Sequence, residues 1–84
     1  MKIMMSCEQH DYIEIACLYR YPVRLTLTNG EHIAGVALDT ARNDDQEECL
    51  KLRIGDEVRL LPLASLACMI AARPNPHFVQ VDFD

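Results

Sequence analysis

The chain has 84 residues, half of them hydrophobic and 25% charged, a balance that suits one small domain with a single core and excludes a disordered chain. Its 13 acids against 8 Lys and Arg leave a formal charge of −5, a field that repels phosphate backbones and attracts basic surfaces. Nucleic acid is therefore disfavoured as the primary ligand.

The N-terminal MKIMM is far short of a signal-peptide core, and no run of about 18 apolar residues follows, so a cytoplasmic location is expected. Asp11 to about Tyr19 reads as a helix, with Asp11 as its cap and Glu14 completing a capping box. At 100° per residue, Ile13, Ala16 and Cys17 share one face, while Asp11, Glu14, Ile15 and Leu18 fall on the other. Such a helix needs a larger body to rest on.

That body reads as β. PVRLTL alternates, with Val23, Leu25 and Leu27 inward and Arg24 and Thr26 outward, and Asn29-Gly30 supplies positive φ angles for a tight hairpin. HIAGVAL returns and loses its alternation around Gly35, as a sharply bent strand does. TARNDDQEE reads as a polar loop of roughly eight residues. CLKLRI and EVRLLPL then form a second hairpin around Gly55-Asp56. Pro62 turns the chain before ACMIAA, a fifth and largely buried strand; RPNP breaks it, and HFVQVDF pairs at an edge or trails away. The expected fold is mainly β: a small, Sm-like, five-stranded bent barrel over about 23–72, with an N-terminal helix and a tail over 73–84.

Three blocks carry a family resemblance: C-x-x-x-D-x-I-E-I-A-C from Cys7 to Cys17, then LTLTNGEHIAG, then GDEVRLLPLASL. Together they resemble the Rof family of bacterial Rho inhibitors, over about residues 7–70. The resemblance implies an Sm-like fold with an added helix, no enzymatic activity, and binding to the RNA-binding domain of the termination factor Rho, so that RNA cannot load. Relatives of that kind carry basic residues in the loop matching Asp39 to Glu48, whereas here Arg42 is the one basic residue among Asp44, Asp45, Glu47 and Glu48.

A competitor for an RNA site can offer carboxylates to its basic side chains and apolar groups to its stacking faces. Glu8, Asp11 and Glu14 fit the first need and Ile15 and Leu18 the second, with Arg42, Asp44 and Asp45 as lesser contacts; each also has a plain structural role to weigh against this. Capping accounts for Asp11, and packing on the barrel or on Tyr19 and Tyr21 accounts for Ile15 and Leu18. No cofactor or metal is expected: Cys7, His10 and Cys17 lack the paired spacing that zinc favours, and no third group orients a Cys–His nucleophile. The rival reading is an Sm-type RNA-binding ring protein, suggested by Tyr19-Arg20-Tyr21 and by Gly35, Asp39 and Asn43; the charge and the missing Arg-Gly pair oppose it. A free monomer is expected.

Overall fold

The structure is a computed structural model that describes residues 5–83, so the MKIMM reading falls, Met5 apart, outside the described residues. Helix α1 runs over Cys7–Leu18, one turn earlier than the acidic pattern suggests. Its cap is Ser6, whose hydroxyl accepts from the Gln9 N–H at 3.1 Å while the Gln9 side chain accepts from the Ser6 N–H at 2.9 Å. Asp11 and Glu14 are therefore interior helix positions and not a cap: Ser6-x-x-Gln9 satisfies the free N–H groups first. Ile13, Ala16 and Cys17 form the buried face, as their spacing predicts.

Beneath the helix lies one antiparallel sheet built from β1 (Pro22–Leu27), β2 (His32–Arg42), β3 (Glu48–Ile54), β4 (Glu57–Pro62), β5 (Leu66–Ala71) and β6 (Gln80–Asp82). The order across it is β4-β3-β2-β1-β5-β6. The mainly β fold with an N-terminal helix is as expected, but the bent sheet does not close and it has six strands. Pro62 and the 3-10 turn Leu63–Ser65 carry the chain from β4 across to β1, where β5 pairs, and β6 then covers the outer edge of β5. The tail therefore belongs to the sheet and the core, through Phe78, Val81 and Phe83.

In β1, Val23, Leu25 and Leu27 are buried and Arg24 is exposed, which is the alternation read from sequence. The first turn is longer than a two-residue loop: the Leu27 N–H donates to Glu31 O at 2.8 Å, and Gly30, at φ +91°, supplies the left-handed residue while Asn29 does not. Gly55, at φ +62°, opens the tighter turn between the paired residues Ile54 and Glu57. β5 is less buried than its apolar sequence suggests; Leu66 and Met69 alone are fully covered, because the opposite face is only partly screened.

The polar stretch from Thr40 to Glu48 is a loop at its centre only, with strand at both ends. Thr40, Ala41 and Arg42 pair with Leu50, Cys49 and Glu48, leaving residues 43–47 as the loop. Polar residues on the solvated face of a strand look like a loop in sequence, and here they extend β2 beside the helix. A register shift between Ala37 and Asp39 marks a bulge there, which adds local bend.

Candidate functional site

The helix and the far end of β2 form the walls of an open groove. Asp11, Glu14, Ile15 and Leu18 line it from α1, Arg20 from the helix end, and Leu38, Asp39 and Thr40 from β2. The groove follows from the packing. With Ile13, Ala16 and Cys17 turned to the core, the helical repeat leaves Asp11, Glu14 and Leu18 on the outer side, and the bulge at Leu38 brings Asp39 opposite them. Leu18 is 73% exposed, while Ile15 is half-buried and packs against the core.

Four of the sequence-predicted residues thus meet in one place: Asp11, Glu14, Ile15 and Leu18. Glu8 does not join them. It lines a separate depression with Gln9, Tyr12 and the tail residues His77 to Asp82. Arg42 donates to Gln46 O at 2.7 Å and so braces its own loop. Asp44 and Asp45 are exposed on that loop, whose shape Asn43 sets: its side-chain oxygen accepts from the N–H groups of Asp45 and Glu47, each at 3.0 Å. Gln46 takes the left-handed conformation at φ +64°.

Sequence reasoning did not include His10 or Glu48 in this surface. The His10 Nε2 lies 3.0 Å from Glu48 Oε2 and its Nδ1 lies 3.3 Å from Glu14 Oε2, so one imidazole bridges two carboxylates from different elements. The hydrogen bond to Glu48 is the largest influence raising the His10 pKa above an ordinary 6.5, opposed by partial burial and helped by Glu14. The His10–Glu14 spacing of four residues is legible in a helix. Its partner Glu48 lies 38 positions away and is not.

Three of the four cysteines are held as thiols. Burial, with help from Asp39 and Glu14, pushes the Cys17 thiol up to about 11, and burial also raises Cys49 and Cys68. Thiols held protonated are poor nucleophiles and poor metal ligands. Among the described residues no group of three or more His, Cys, Asp or Glu side chains is arranged to hold a metal ion. Tyr12, Tyr19, Tyr21, His77 and Phe78 instead form one cluster of rings. Tyr19 stacks on Tyr21 at 5.5 Å and on His77 at 5.1 Å, while Phe78 meets Tyr12 and Tyr21 edge-on.

A family model described as modulator of Rho-dependent transcription termination (ROF) matches residues 4–83. Among solved structures, the chain is similar to YaeO bound to magnesium from Vibrio cholerae O395, with a TM-score of 0.86 and 46% identity over 90% of this chain and 99% of that one. No match was found among curated proteins.

Proposed function

The chain belongs to the Rof family of modulators of Rho-dependent transcription termination, and from that premise we propose that it inhibits termination by occupying the primary RNA-binding domain of Rho. The family is regulatory rather than enzymatic, and Rho is the partner that its activity implies. The observation that carries the finer reading is the net acidic groove, where Asp11, Glu14 and Asp39 outnumber the one cation, Arg20, and share the lining with the exposed Leu18. An RNA-binding surface must hold cations and apolar stacking faces, and this groove offers the complement of both. RNA is then kept from loading by occupation and by repulsion from the net charge. The chain acts in the cytoplasm, where Rho meets transcripts.

Charge-driven docking weakens with salt as the Debye length falls from about 10 Å at 0.1 M to about 3 Å at 1 M. A titration of the purified chain into Rho across a salt series is expected to show steadily falling affinity, while a mobility-shift assay with short single-stranded RNA shows no complex with the chain alone. Tight RNA binding by the chain itself would favour the ring-protein reading instead. Salt-independent capture of Rho would remove the electrostatic account.

A further inference from the structure

The bridge at His10 has a consequence for how the acidic surface meets a cation. Glu14 belongs to the groove, and Glu48 stands at the start of β3. Both keep substantial exposure, 58% and 41% of their side chains, whereas His10 is 30% exposed beneath them. The imidazole therefore sits on the protein side of two carboxylates that face solvent. The charged groups facing it are Glu14 from α1 and Glu48 from β3. The other elements packed on α1 are β2 and β6, whose charged residues are engaged elsewhere: Arg42 with Gln46, Asp39 with the Thr40 N–H and Asp82 with Gln80.

We infer that His10 is a positioning residue of the docking surface: it holds Glu14 and Glu48 together as an internal counter-cation, and a cationic partner takes over both carboxylates as His10 gives up its proton. This rests on the reading that the acidic face meets a basic protein surface. The two carboxylates favour the imidazolium in the free chain, consistent with its raised pKa. A guanidinium or ammonium placed against the same oxygens opposes that charge, so by linkage binding and protonation of His10 exclude one another. The sign follows. Below the His10 pKa, affinity for the partner falls as pH falls, because a bound proton must leave; above it, affinity is independent of this group. The step moves one proton from His10 to solvent and breaks no covalent bond.

The test compares the intact chain with His10→Gln, binding to Rho from pH 5.5 to 8. The variant keeps an amide that can hydrogen-bond a carboxylate but carries no proton to displace. The intact chain is expected to lose affinity on acidification, by up to about tenfold per pH unit for one linked proton, with a shallower slope for the variant; comparing the two cancels the titration of Rho itself. Equal slopes for two folded proteins overturn the inference while leaving Rho binding in place. Absence of binding at any pH overturns the Rho reading instead. A second readout does not need Rho: NMR titration of the His10 ring is expected to give a pKa above 6.5 in the free chain that drops when oligoarginine is added. An unchanged titration with the peptide bound also overturns the inference.

Discussion

Gly35→Ala is expected to destabilise the fold by about 2–3 kcal/mol, the upper part of the range for forcing extra volume into a packed interior. A Cβ built at Gly35 stands 2.5 Å from the Arg53 carbonyl oxygen and 2.8 Å from Leu52 Cγ. The first of these is backbone and cannot swing aside as a side-chain end can. Relief would require β2 and β3 to separate where Val36 pairs with Arg53 and Ala37 with Leu52, beside the fully buried Leu50 and Leu52. A domain of this size has about 5–15 kcal/mol of total stability, so the loss is a large share of it. Urea unfolding followed by circular dichroism reads the effect as a lower midpoint at an unchanged slope. An unchanged midpoint would mean that the close approach of β3 does not depend on glycine there.

The largest expected effect on function is that of Asp11→Lys/Glu14→Lys. Each change removes an attraction and adds a repulsion to a basic partner, and like charges brought together at an interface cost several kcal/mol. A loss of at least about 3 kcal/mol, more than a hundredfold in affinity for Rho, is expected. Because Ser6 and Gln9 cap the helix, neither substitution removes a cap, and both positions are exposed. The variant should keep the circular dichroism and melting behaviour of a folded chain, so that lost binding reads the surface and not unfolding. Glu14 also contacts His10, at 3.3 Å, which makes Asp11→Lys alone the cleaner companion variant. Affinity within about twofold of the intact chain would place the contact elsewhere.

Local patterns in the sequence point to much of this arrangement. The alternation in PVRLTL and the glycines at 30 and 55 mark both hairpins because strand faces and left-handed turns leave residue-level signatures. The buried helix face is visible in the spacing of Ile13, Ala16 and Cys17. The helix start is displaced because two capping patterns overlap: Asp11-x-x-Glu14 and Ser6-x-x-Gln9 both fit, and the earlier one prevails by adding a turn to the helix. Thr40 to Arg42 resemble a loop because their composition is polar, yet pairing with β3 holds them in a strand.

Long-range relations are less accessible. The tail joins the core through Phe78, Val81 and Phe83, and its strand pairs with β5 by contacts that no local pattern encodes. Gln9 reaches the Asp82 carbonyl at 2.8 Å across 73 positions, tying the start of the helix to the end of the chain. Within the candidate site, Asp11, Glu14, Ile15 and Leu18 follow from helical geometry, whereas Asp39 depends on the bulge and Glu48 on the fold of β3. The separation of Glu8 from the groove likewise depends on where the tail packs.

On the proposed reading, the acidic helix face takes the place of RNA on Rho. Fluorescence anisotropy of a labelled single-stranded RNA already bound to Rho tests it most directly, with the chain added in increasing amounts. The account predicts that anisotropy falls to the value of free RNA and that added unlabelled RNA shifts the curve to higher chain concentrations. A stable assembly in which the chain and the RNA sit on the same Rho domain together would contradict it.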